Sequence, residues 1–329
     1  MTNKDLKILT TQDIRQIMPM EEAINIMRSA FIQISKGESI VPERIHLDIT
    51  ENNGSALVMP SFSPLEKKIG LKLITLYNDN PTRGLPVIHA LMLLFDGKTG
   101  QPLVLMDGSL LTALRTGAGS GLATELLADK NAKIAAIFGA GEQGKTQLEA
   151  INCVRNLEHV YVYDPNAKQA QKFTKEMQGK LAINIEATQK ETKLLEADII
   201  CTATNSLNPV FNDANISKGT HINAIGSYKP QVREIPSETV VRAKIIVDHK
   251  ESCLFEAGDI IIPMKEGVIT KDHIIVELGE ILLTNKKIRT KPDDITLYKS
   301  VGNAIQDLVL ANHIFLKANK MDFGLDLTF

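Results

Sequence analysis

The stretch KIAAIFGAGEQGKTQLEA constrains the fold of this chain more than any other. A short apolar run leads directly into Gly139, Gly141 and Gly144 at G-x-G-x-x-G spacing, and a helical pattern follows. A strand, a glycine turn and a helix in that order form a dinucleotide-binding βα unit. One glycine makes the tight turn, the second lets a pyrophosphate approach the backbone, and the third lets helix and strand pack closely. The helix N-terminus favours the phosphate charge. The loop residues Gly139, Gly141, Glu142, Gln143 and Gly144 are therefore candidate cofactor contacts. Asp164 ends the next apolar run, VYVYD, twenty residues beyond Gly144, where an acidic ribose-binding residue is expected. A carboxylate there repels a 2′-phosphate, so NAD(H) is favoured over NADP(H). The same residues also satisfy G-x-x-x-x-G-K-[ST], with Lys145 and Thr146 in the phosphate-binding places and Asp248 as a candidate magnesium ligand. Spacing alone does not separate the two readings. Gly141 and Asp164 favour the dinucleotide, because the P-loop pattern needs neither.

From about Ala128 onward, short apolar runs (HVYVYDP, ADIICTAT, THINAIGS, AKIIVD) alternate with the helical segments EQGKTQLEAINCV, AKQAQKFTKEM and QKETKLLE. Continuous apolar strands alternating with helices indicate a parallel, doubly wound Rossmann sheet covered on both faces. The first hundred residues read differently. TTQDIRQIMPMEEAINIMRSAFIQISKG is a helical segment that stops at Gly37. RIHLDIT alternates as a half-buried strand with Ile45, Leu47 and Ile49 on one face. SALVMP, KKIGLKLITLY, VIHALMLLFD and PLVLMD continue an antiparallel or mixed sheet. The glycines 117, 119 and 121 mark a closely packed helix start, and the tail VGNAIQDLVLANHIFLKANK is an amphipathic helix. The expected fold class is α/β, a Rossmann domain over 121–302 with an α+β substrate domain over 1–120 and 303–329.

Composition excludes several functions. The 37 basic and 39 acidic residues give a net charge of −2, and there is no Trp. The chain thus offers neither a polyanion-binding surface nor a base-stacking platform, so no nucleic-acid partner is expected. No signal-type or membrane-length apolar run occurs, because the longest, such as ALMLLF, fall far short of the roughly 20 residues a span needs. Cys153, Cys201 and Cys253 form no ligand pattern and read as small buried hydrophobes of a cytoplasmic protein, with no metal site.

Three cations stand where apolar residues belong. Lys72 shares a strand face with Ile74 and Leu76, as either a snorkelling edge residue or a functional amine beside an anion. Arg115 lies in the apolar stretch SLLTALRTGAG, suited to a carboxylate fork or a structural salt bridge. Arg44 opens the alternating strand after Pro42, where a solvated edge charge is the plainer expectation.

LRTGAGSGLAT, GAGEQGKTQLEA, HINAIGSYKPQVRE, LGE and SVGNAIQD, in that order and over nearly the whole chain, resemble the ornithine cyclodeaminase/mu-crystallin family. The resemblance implies a homodimer whose N-terminal substrate domain is completed by the C-terminal helix. It also implies that Lys72, Arg44 and Arg115 hold an amino- or imino-acid carboxylate, that Thr116 and Ser227 contact the cofactor, and that Ser300 lies near the nicotinamide. Cyclodeaminases resemble one another in carrying an Asp where this chain has Tyr228, after Gly226 and Ser227. Without that carboxylate, a base for the substrate amine is missing. The expectation is therefore an NAD(P)H-dependent reductase of a ketimine α-carboxylate such as Δ1-pyrroline-2-carboxylate, with Lys72 polarising or protonating the imine nitrogen. An alanine-type dehydrogenase, a cyclodeaminase with a relocated base, and a non-catalytic small-ligand binder are the alternatives.

Overall fold

The computed structural model describes residues 6–328. The chain forms two compact units, Met1–Arg115 with Asn303–Phe329, and Thr116–Gly302.

The first unit runs through β1 (Leu6–Leu9), α1 (Thr11–Ile17), α2 (Met20–Ser35), β2 (Ile45–Ile49), β3 (Gly54–Ser63), β4 (Lys68–Tyr77), β5 (Ile88–Asp96) and β6 (Pro102–Asp107). It then enters α3 (Gly108–Leu127) and resumes with a final helix, Ala304–Met321, and a short strand, Leu325–Leu327. The segment read as one helix is two, because Pro19 has no N–H to continue α1 and instead caps α2. Gly37, at φ +64°, stops α2. The sheet is mixed, in the order Leu325–Leu327, β1, β6, β5, β4, β3, β2, with β1 parallel to β6 and every other pair antiparallel. Its inner face, including Leu57, Met59, Ile74 and Ala90, packs with Ala304 of the final helix. At Gly70 a Cβ would stand 3.1 Å from Leu308 Cβ and 2.9 Å from Met92 Cε, so the final helix lies close on β4. β2 departs from expectation. It is an edge strand, and Ile45 and Leu47 are about half exposed rather than buried.

The second unit is an eight-stranded, wholly parallel sheet. Its strands are β7 (Ile134–Phe138), β8 (His159–Tyr163), β9 (Asn184–Ala187), β10 (Ile199–Thr202), β11 (His221–Ala224), β12 (Lys244–Val247), β13 (Ile274–Glu277) and β14 (Thr296–Lys299). They are ordered β13-β12-β14-β11-β10-β7-β8-β9. Alternate residues of β7 and β8 feed two separate cores. Ala136, Phe138, Tyr161 and Tyr163 face one way, and Ala135, Ile137, Val160 and Val162 the other. Two buried faces explain why these strands read as unbroken apolar runs. The helices α4 (Glu142–Val154) and α5 (Ala167–Leu181) follow β7 and β8. QKETKLLE, expected as an ordinary helix, is a 3-10 helix over Glu191–Glu196. The glycines 117, 119 and 121 lie in the middle of α3, not at its start. A Cβ on Gly117 would stand 2.6 Å from the Thr146 carbonyl, which is how α3 lies against α4. Cys201 and Cys253 are buried, but Cys153 is exposed on α4. Among the described residues no helix is long and apolar enough to cross a membrane, and no cluster of ligating side chains is placed to hold a metal.

Candidate functional site

In the first unit, β4 places Lys72 on the inner sheet face between Met59 of β3 and Met92 of β5. The side chain is fully buried. An ammonium in an apolar layer needs a partner, and the first turn of the final helix supplies one. Lys72 Nζ lies 2.5 Å from Asp307 Oδ2, and Arg115 Nε donates to Asp307 Oδ1 at 3.1 Å. Arg115 Nη1 donates to Gln306 Oε1 at 3.2 Å. Asn303 fixes the start of this helix, its side-chain oxygen accepting the Ile305 N–H, and Ser61 of β3 donates to the Ala304 carbonyl. Arg44, half-buried, stands just before β2. Burial pulls the Lys72 ammonium down to about 7, and the Arg115 and Arg44 charges pull in the same direction against the opposing pull of Asp307. Burial pushes the Asp307 carboxyl up, yet Lys72 and Arg115 outweigh it and hold it below its usual value. The arrangement is an amine drawn down to about 7 beside a guanidinium that shares its carboxylate partner.

In the second unit, the glycine loop lies at the carboxyl end of β7. The strand order reverses between β7 and β10 at this point, where doubly wound sheets bind ligands. Gly139 adopts φ +96°, and a Cβ there would stand 2.5 Å from the Ala203 carbonyl. A Cβ on Gly144 would stand 2.0 Å from the Gly139 carbonyl. The protein's own packing therefore requires these two glycines. It does not require Gly141, whose backbone is ordinary (φ −89°, ψ −173°) and beside which a Cβ would meet nothing within 4 Å. That open space lies at the N-terminus of α4, and Gln143 next to it keeps a buried Oε1 with no hydrogen-bond partner. A cradle with room beside the backbone and an unspent polar atom fits a dinucleotide pyrophosphate. Glu142, the first residue of α4, turns its carboxylate to Lys145.

Asp164 directly follows β8 and holds the loop. Its Oδ2 accepts the Ala140 N–H at 2.9 Å, and its Oδ1 accepts the Asn166 N–H at 2.8 Å. The P-loop alternative fails on geometry. Lys145 pairs with Glu142 and Glu176, and the Thr146 hydroxyl donates back to the helix carbonyl of Gln143. Asp248, the imagined magnesium ligand, accepts the Ser300 hydroxyl and the Val301 and Gly302 N–H groups.

Ser227 and Ser300 lie beyond the carboxyl ends of the neighbouring strands β11 and β14. Both hydroxyls are spent internally, Ser227 on the Val232 carbonyl at 2.6 Å and Ser300 on Asp248 at 2.7 Å. Thr116 is buried in α3. The structure thus brings Lys72 and Arg115 onto one carboxylate, with Arg44 near enough for its charge to be felt, and gathers the glycine loop around Asp164. Sequence reasoning did not single out Asp307, although it lies in SVGNAIQD. The signal was available, because three cations assigned to one small site leave their own charge unbalanced. It likewise did not single out Glu234, in HINAIGSYKPQVRE.

A parallel sheet with this switch point and this glycine loop defines a Rossmann-type dinucleotide-binding protein. The chain belongs to the ornithine cyclodeaminase/mu-crystallin family, whose model matches residues 4–322. It is similar to the Δ1-pyrroline-2-carboxylate reductase of Bacillus thuringiensis, 37% identical over 98% of this chain and 99% of that protein. Among solved structures, it is similar to Thermococcus litoralis Δ1-pyrroline-2-carboxylate reductase in complex with NADH and L-proline. The identity there is 43% and the TM-score 0.94, over 98% of this chain and 100% of that one. An archaeal alanine dehydrogenase dimer with bound NAD is 33% identical with a TM-score of 0.91, over 99% of each chain.

Proposed function

We propose that this protein is an NAD(H)-dependent reductase of cyclic ketimine α-carboxylates, converting Δ1-pyrroline-2-carboxylate to proline. The observation that carries the reading is Lys72, a buried amine held near neutrality between Asp307 and Arg115. The absence of a carboxylate at Tyr228 favours simple reduction over cyclodeamination. In this reading Arg44 and the second terminal nitrogen of Arg115 anchor the substrate carboxylate. Lys72 delivers a proton to the imine nitrogen and is recharged from solvent. Bound NADH supplies the hydride for the imine carbon, so the C=N bond becomes CH–NH with one hydride and one proton. Anchoring the carboxylate fixes the imine for attack, which by orientation alone is worth several kcal/mol, of the order of 7 or more in well-aligned cases. Asp164, free of a basic neighbour within the turn DPNA, suits the ribose hydroxyls of NAD(H) better than a 2′-phosphate.

The outward sheet face supports a homodimer. Ile45, Leu73 and Leu91, in register across β2, β3, β4 and β5, are 54%, 42% and 49% exposed, and an apolar face of this kind calls for cover by a second copy. The NADH pool and three cysteines outside any disulfide suit a cytoplasmic setting.

The test is purified protein with NADH and Δ1-pyrroline-2-carboxylate, following NADH absorbance and proline. Stoichiometric oxidation of NADH is expected. Ammonia release from ornithine without net NADH loss, reversible NAD reduction by alanine alone, or binding with no turnover of any imino acid would each overturn the reading in favour of a different class.

A further inference from the structure

The loops that follow β10 and β11 are tied to a single buried carboxylate. Glu234 Oε1 accepts the Thr204 N–H at 2.7 Å. Its Oε2 accepts the Gly226 N–H at 2.7 Å, the Ser227 N–H at 3.2 Å and the Thr202 hydroxyl at 2.9 Å. The fit has no slack, because a Cβ on Gly226 would stand 2.2 Å from the Thr204 carbonyl and 2.5 Å from Glu234 Oε1. Glu234 is itself held from behind. Its N–H and that of Ile235 donate to Asp259 Oδ1, at 2.7 and 3.0 Å, and Asp259 Oδ2 accepts from Lys299 Nζ at 2.8 Å. Lys299 is the last residue of β14. Glu234, Asp259 and Lys299 are all fully buried, so the carboxyl ends of β10, β11 and β14 are joined by one charged chain.

A doubly wound sheet reads one nucleotide with each half, on either side of the strand-order reversal. The glycine loop and Asp164 belong to β7, β8 and β9. The other half is β10, β11 and β14, with Ser227 and Ser300 at its carboxyl edge. We infer that Glu234 is a positioning residue for the nicotinamide half of the cofactor. In this role it acts through the two loops that would receive that half, whose shape it sets. Four donors converge on its two oxygens, a pattern that only a carboxylate satisfies. A glutamine offers one acceptor oxygen and turns an NH2 toward N–H donors, leaving buried donors unpaired.

This inference rests on the dinucleotide reading, and the test separates the two. Binding of NADH, by its fluorescence, and of ADP-ribose, by calorimetry, is measured for the full chain and for Glu234→Gln. ADP-ribose spans the adenosine half and pyrophosphate but lacks nicotinamide. The expected result is NADH binding at least tenfold weaker in Glu234→Gln, with ADP-ribose binding changed less than twofold. Unchanged NADH binding, or an equal loss of both ligands, overturns the role of Glu234. A wild-type chain that binds neither ligand overturns the dinucleotide reading itself. Should the glutamine variant fail to accumulate, Glu234→Asp, which keeps the charge but is one methylene short, is judged by the same pair of affinities.

Discussion

Lys72 sits where the energetics of burial and the needs of catalysis oppose one another. Burying its ammonium is costly, and the Asp307 carboxylate, which also pairs with Arg115, offsets that cost. A general acid works best when it titrates near the working pH, and Lys72 is drawn down to about 7. Because the proton-donating form is the one present below that value, kcat/KM for imine reduction should fall as pH rises through about 7. Asp307→Asn removes the group that holds the Lys72 proton on while burial and the two guanidinia still push it off. The alkaline limb of the profile should therefore move to lower pH, a shift that mere loosening of the fold does not produce. The same substitution leaves two cations buried without their anion, so unfolding should show a loss of roughly 3–5 kcal/mol. Lys72→Met keeps Asp307 paired with Arg115. It should lower kcat by about 10²–10⁴-fold with NADH affinity unchanged, and an unaltered kcat would remove Lys72 from the chemistry.

At the scale of elements, the glycine loop separates what the fold needs from what the ligand needs. Gly144→Ala drives a Cβ into the Gly139 carbonyl. It should reduce thermal stability, by about 1–3 kcal/mol on the scale of overpacked sites, together with NADH affinity. Gly141→Ala adds a methyl to open space on an unstrained backbone. It should leave the melting temperature unchanged and weaken only NADH binding, and a matched loss of stability would count against the cradle. The loop was legible from the sequence because its chemistry is local, a strand, three glycines and an acidic residue at fixed spacings. The strands β9, β13 and β14 were not singled out, although they are no shorter than β10, β11 and β12, which were. The exposure of β2 was hidden too. Alternating Ile45, Leu47 and Ile49 show that one face is apolar, but not that β2 lies at the sheet edge. Asp307 was hidden because it acts across a long stretch of chain, and Glu234 because the backbone N–H groups it accepts carry no side-chain signal. Asp307 meets Lys72 across 235 residues of sequence, a pairing that no local pattern records.

For the whole molecule, the row Ile45–Val58–Leu73–Leu91 predicts that association and solubility are coupled. Leu73→Glu with Leu91→Glu places like charges side by side on the outward face. Sedimentation should find this variant monomeric where the parent is dimeric, with Lys72 on the opposite face of the same strand undisturbed. A parent already monomeric at working concentration would contradict the dimer. The order of the chain carries a further consequence. The unit that opens the sequence is completed only by residues from Asn303 onward, and the intervening Thr116–Gly302 forms a unit of its own. During synthesis the ribosome releases Lys72 and Arg115 long before it releases Asp307. Nascent chains fold unit by unit from the N-terminus, so the inserted unit can fold first while the opening sheet waits. A product stalled short of the last helix would leave the Lys72 ammonium with no counter-charge to bury against.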